Sequence, residues 1–138
     1  MIRFKQIPKN IHQKINTLVG FFKEDPNIIF AYLFGGLLKD RVNPLSDVDI
    51  AVFLKDVKKS SYFDLFCKIT DILCSDEVDL IILNLSPLSL TGRILQNRKI
   101  LIDKNPFLRH KYESLTLRKY FDFSMKERNI LKRRYGIG

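Results

Sequence analysis

The chain has 138 residues and a formal net charge of +9, with 46% hydrophobic and 28% charged residues. That length suits one domain with its own core and no need of disulfide or metal staples. No stretch approaches the roughly 20 apolar residues of a membrane span, and no signal-type apolar core follows Met1 to Lys5, so a cytoplasmic location is expected.

Charge is unevenly placed. Residues 1–90 hold 11 Lys/Arg and 11 Asp/Glu, whereas residues 91–138 hold 13 and 4, the whole of the excess. A basic C-terminal third attracts nucleotide phosphates, nucleic acid or an acidic protein face, or else is a solvated helical surface.

In chain order, Pro8 to Phe22 reads as a helix with Ile11, Ile15, Leu18, Val19 and Phe22 at helical spacing, stopped before Pro26. Ile28 to Phe34 is a strand, apolar on both faces and therefore expected to be covered on both. Gly35 to Ser46 reads as a loop with a short helix, and Val48 to Leu54 as a second strand. Ser60 or Ser61 is placed to cap the next helix, whose stripe is Tyr62, Leu65, Phe66, Ile69, Ile72 and Leu73. Val78 to Asn84 is a third strand, Leu88 to Gln96 a short helix and Lys99 to Asp103 a short last strand. Asn105-Pro106 begins a final helix, with Asn as cap and Pro in the first turn. Its basic end, Lys126 to Tyr135, is expected to gain order against a partner. The expected organisation is a core over residues 1–104 and a basic helix or tail over 105–138 within one domain. Cys67 and Cys74 fall seven residues apart in a helix, about 10.5 Å along its axis, too far for a disulfide. Buried free thiols are expected.

The acids carry the chemistry. On a strand, Asp47 and Asp49 point the same way, with Cα atoms about 6.6 Å apart. Parallel carboxylates repel unless a cation lies between them, and carboxylate oxygens suit Mg²⁺. Asp79, near the start of the third strand, faces the same cleft if the second and third strands pair. Three convergent carboxylates can hold two Mg²⁺ ions, an arrangement that serves in-line displacement at phosphorus. Gly35 and Gly36, lacking Cβ atoms, let backbone N–H groups approach a phosphate. Lys39 and Arg41 stand either within reach of triphosphate oxygens or as solvated loop charges. Ser46 is a turn residue or a phosphate contact. No Gly-Lys-Ser/Thr ending, third glycine or well-placed histidine supports P-loop, Rossmann or Ser-His-Asp chemistry.

Strand, Gly-Gly, ten residues, Ser-Asp-x-Asp and a later strand Asp together resemble the minimal nucleotidyltransferase (MNT) family of the DNA polymerase beta superfamily. The resemblance runs from about Ile11 to Asp103. It implies an α/β (α+β) nucleotidyltransferase fold, a small mixed sheet flanked by helices, here with a basic C-terminal helical tail. It also implies ATP as substrate, Mg²⁺ on Asp47, Asp49 and Asp79, and phosphates held by Gly35, Gly36 and Ser46. Size and basic end are similar to the antitoxin members paired with HEPN-domain RNase toxins, which implies AMP transfer to a toxin tyrosine. The family usually has Ser where this chain has Gly36, which removes one hydroxyl from the phosphate site. Two other readings stay open: an antitoxin that acts by binding alone, and a nucleotidyltransferase acting on RNA or a small molecule.

Overall fold

The protein is described from a computed structural model, which covers residues 11–35 and 48–136. Four strands form one sheet: β1 (Ile28–Phe34), β2 (Val48–Leu54), β3 (Val78–Ile82) and β4 (Arg98–Asp103), in the order β3-β2-β1-β4. β1 pairs antiparallel with β2 and β4, while β2 and β3 run parallel, so the sheet is mixed. The parallel pair needs a long crossover, and helix α2 (Ser61–Leu73) supplies it.

Alternation along the strands sends two apolar sets to opposite faces. Ala31, Leu33, Ile50, Val52, Leu80 and Ile82 pack with Ile15, Leu18 and Phe22 of α1 (Ile11–Glu24) and with Ile69 and Leu73 of α2. Phe30, Tyr32 and Ala51 pack on the other face with Ile94 and Leu95 of α3 (Leu88–Gln96) and with Tyr112 and Leu117 of α4 (Pro106–Tyr135). A strand apolar on both sides is what a three-layer arrangement demands, and β1 is that strand.

Asn105 caps α4 as expected: its side chain accepts a hydrogen bond from Leu108 N at 3.1 Å, and Pro106 occupies the first turn. The expected serine cap of α2 is not made. Ser60 stands at the N-cap without a side-chain bond, and the Ser61 hydroxyl instead accepts from Lys58 N at 2.8 Å. The third strand stops at Ile82 rather than Asn84. There the Asn84 side chain takes over the ladder, accepting from Leu54 N and donating to Leu54 O, each at 2.9 Å, as the chain turns through a 3₁₀ segment at Leu83–Leu85. The cysteines are free, but the expectation that both are buried fails. Cys67 is half-buried, and Cys74 is exposed because it ends α2 in the left-handed conformation at φ 52°. The expected helix start at Pro8 and the short helix after Gly35 lie outside the described residues. Among the described residues no helix is long and apolar enough to cross a membrane.

Candidate active site

The edge-to-edge register brings four side chains into one row across the sheet. Arg98 of β4 stands opposite Phe34 of β1, Phe34 opposite Asp49 of β2, and Asp49 opposite Asp79 of β3. Neighbouring strands lie about 4.8 Å apart, and register partners share a face, so the Asp49 and Asp79 carboxylates emerge side by side. They emerge on the α3/α4 side, the face of Ala51 and Phe53. Asp49 is half-buried and Asp79 exposed.

Gly35 follows β1 and closes the site from one side. Its φ is +75°, a left-handed backbone that side chains rarely adopt, and a Cβ built there would fall on the Asp49 carboxylate. The turn and the acid therefore require each other: glycine gives the carboxylate its place against the backbone. A larger residue would have to expel it.

Hard oxygen donors side by side at a partly solvated strand end fit a divalent cation such as Mg²⁺, which relieves their mutual repulsion. Asp47, the third expected donor, lies outside the described residues, as do Gly36, Lys39, Arg41 and Ser46. Among the described residues no group of three His, Cys, Asp or Glu side chains is placed to hold a metal. A cavity of about 410 Å³ exists between Asn27, Leu54, Lys55, Asp64 and Lys68. It opens at the opposite end of β2 from Asp49, so it plays no part in this site.

Beside the row lies a polar cluster that sequence reasoning missed. Glu113 of α4 is buried, and its Oε2 accepts from Tyr32 Oη at 2.7 Å and from Arg98 Nε and Nη2 at 3.0 and 2.7 Å. Its Oε1 accepts from Arg109 Nη1 at 2.9 Å, and Arg109 Nε also donates to Asp103 Oδ2 at 2.6 Å. Arg98 further lies over the Tyr32 ring, 5.3 Å from its centroid. Burial alone would push the Glu113 carboxyl up, but the Tyr32 hydroxyl and the Arg98 and Arg109 guanidiniums together hold it below the usual carboxylate range. Burial, then the bond to Glu113, pushes the Tyr32 hydroxyl far above the ordinary tyrosine range, so it remains a donor. The one sequence signal was an Arg and a Glu four apart on a helix, a spacing that also describes countless exposed pairs.

The family described as "Polymerase beta, Nucleotidyltransferase" matches residues 16–107, two-thirds of the chain. The chain belongs to the polymerase beta nucleotidyltransferase family. Asp49, Asp79 and Gly35 all fall within the family match. None of the curated protein sequences matches the chain. Among solved structures, this nucleotidyltransferase resembles a mutant form of the toxin–antitoxin MntA–HpeT, at 21% identity and TM-score 0.65 over 86% of this chain and 93% of that one. It also resembles a complex of a tri-AMPylated Shewanella oneidensis HEPN toxin with its MNT antitoxin, at 21% identity and TM-score 0.62 over 88% and 92%. A toxin–antitoxin structure with AMP-PNP follows at 24% identity and TM-score 0.59 over 88% and 92%. At these identities the likeness is one of fold.

Proposed function

We propose that this nucleotidyltransferase moves AMP from ATP to a tyrosine hydroxyl of a HEPN-domain toxin and so silences it. The observation that carries the proposal is the pairing of Asp49 with Asp79 in register, with Asp49 seated against the Gly35 backbone. Two of the structures of like fold are, respectively, a complex with an AMPylated HEPN toxin and one with AMP-PNP, which supports the choice of nucleotide and acceptor.

In this reading Asp47, Asp49 and Asp79 would hold Mg²⁺, and Gly35, Gly36 and Ser46 would hold the β- and γ-phosphates, with Lys39 and Arg41 as further phosphate contacts. Mg²⁺, when bound, neutralises the charge that grows on the departing pyrophosphate. Asp79, exposed at the open edge of the site, takes the proton from the incoming tyrosine hydroxyl. The tyrosine oxygen bonds to the α-phosphorus as the bond to pyrophosphate breaks, so one adenylyl group joins the toxin for each ATP consumed. Asp49, fixed by the Gly35 turn, keeps its carboxylate aligned throughout.

The test mixes the protein, Mg-ATP and a purified HEPN-domain protein and follows the mass of the latter. A gain of one or more adenylyl groups, lost in Asp49→Asn and Asp79→Asn, is expected. No gain with the unaltered chain, or an equal gain with both variants, would sink the proposal.

A further inference from the structure

The two edges of the sheet meet their surroundings differently. β4 carries Arg98 and Lys99, and its pairing with β1 skips Leu101, so the register shifts between Ala31 and Tyr32. Charges and register breaks of that kind keep a foreign strand from adding on. β3 has neither. It pairs with β2 in unbroken register from Val78 to Ile82, and its sole charge is Asp79 of the site. Asp79 is exposed, and Val78 and Ile81 are half-buried, so the strand is reached from solvent.

One hydrogen bond fixes which main-chain groups face outward. The Glu77 carbonyl accepts from Val48 N at 2.9 Å, so it points to β2. Main-chain groups alternate sides along a strand, so those of Asp79 and Ile81 also point to β2. The N–H and C=O groups of Val78, Leu80 and Ile82 then point off the sheet. Among the described residues none of these outward groups has a hydrogen-bond partner. They recur about every 6.6 Å, donors and acceptors in alternation, a row that another extended backbone matches. A helix bonds its own main chain, and phosphate oxygens only accept.

We infer that the acceptor enters as an extended polypeptide segment added to the β3 edge, with its tyrosine on the face of Asp79. This rests on the tyrosine-acceptor reading above and adds the shape in which the acceptor is recognised. A strand added there lies about 4.8 Å from β3, and every second side chain rises on the α3/α4 side beside Asp79. One register therefore sets the phenol next to the carboxylates, and a slip of one residue turns it to the other face. Main-chain pairing holds the segment, while Asp79 and its neighbours select the hydroxyl.

The test is fluorescence titration of the full chain with labelled peptides of about 9 residues, each centred on one tyrosine of the purified HEPN-domain protein. In the peptide that binds, a methyl group is placed on each main-chain nitrogen in turn. Methyls at alternate positions should weaken binding at least about tenfold, and those between them less than about twofold, because only every second N–H faces β3. Val78→Pro removes an outward N–H at the first residue of the strand, where proline is tolerated. It should weaken binding by a similar factor with little change in melting temperature. No binding by any of the peptides, or a methyl series without alternation, would overturn the inference. So would a self-dimer in sedimentation that Val78→Pro dissolves, since a second copy would then hold the edge. Failure of this inference is separable from failure of the catalytic one. Transfer to the whole toxin with no peptide bound overturns only the edge pairing, whereas alternating peptide binding without transfer overturns only the catalytic reading. Asp49→Asn should keep the peptide affinity and its alternation while transferring nothing.

Discussion

Glu113 and the Asp49–Asp79 pair occupy the same side of one sheet, yet they are built on opposite principles. Glu113 is enclosed by a tyrosine hydroxyl and two guanidiniums, so each of its oxygens accepts at least one bond. Asp49 and Asp79 are set carboxylate beside carboxylate, at the rim, with one half-buried and the other exposed. The first arrangement locks α4 to β1 and β4 and has no spare valence. The second leaves negative charge concentrated where a cation can enter. Burial with complete pairing serves the fold; concentration with access serves chemistry.

Substitutions can break that contrast from either end. The largest effect is expected in activity: Asp49→Asn combined with Asp79→Asn should lower adenylyl transfer by about 1,000-fold. The melting temperature of that variant should fall less than that of Glu113→Ala, because both carboxylates lie at the partly solvated rim. Glu113→Ala should do the reverse. It strands the Arg98 guanidinium and the Tyr32 hydroxyl, leaves Arg109 with Asp103 as its remaining carboxylate, and should cost about 3 kcal/mol in denaturant unfolding, while the folded fraction keeps its transfer rate. Gly35→Ala falls between the two regions' behaviours. It strains a left-handed backbone by about 1–2 kcal/mol and displaces the Asp49 carboxylate, so stability and transfer should drop together.

The smallest effect is one of pH. Glu113 is held below its unfolded value of about 4.3, so its contribution to stability is fully present above that value. The contribution disappears as pH falls through the lower folded value. The difference in melting temperature between the unaltered chain and Glu113→Gln should therefore be constant near neutrality and shrink below about pH 4. A difference that grows on acidification would mean the carboxyl is not held by its cations.

The two regions also differed in how far sequence alone disclosed them. Asp49, Asp79 and Gly35 could be picked out because strand periodicity fixes facing and because an acid at a strand entrance breaks an apolar run. The mixed sheet followed from the family resemblance rather than from periodicity, and the strand order β3-β2-β1-β4 came only with the structure. The Glu113 cluster was invisible because its members are 81 and 15 residues apart in sequence, and a buried Arg109–Glu113 pair reads like a surface one. The end of β3 was misplaced for a related reason: Asn84 turns its amide back onto Leu54, a contact across 30 residues that propensity does not register. The exposed Cys74 shows the limit of helical stripes at a helix end, where one left-handed residue turns a side chain outward.

Divalent-ion binding tests the central claim most directly. Mn²⁺, followed by electron paramagnetic resonance in the presence of a non-hydrolysable ATP analogue, should bind the unaltered chain and bind Asp49→Asn and Asp79→Asn at least about tenfold more weakly. Glu113→Gln should bind it as the unaltered chain does. Undiminished Mn²⁺ affinity in both aspartate variants would contradict the account, because the paired carboxylates would then not be the cation's ligands.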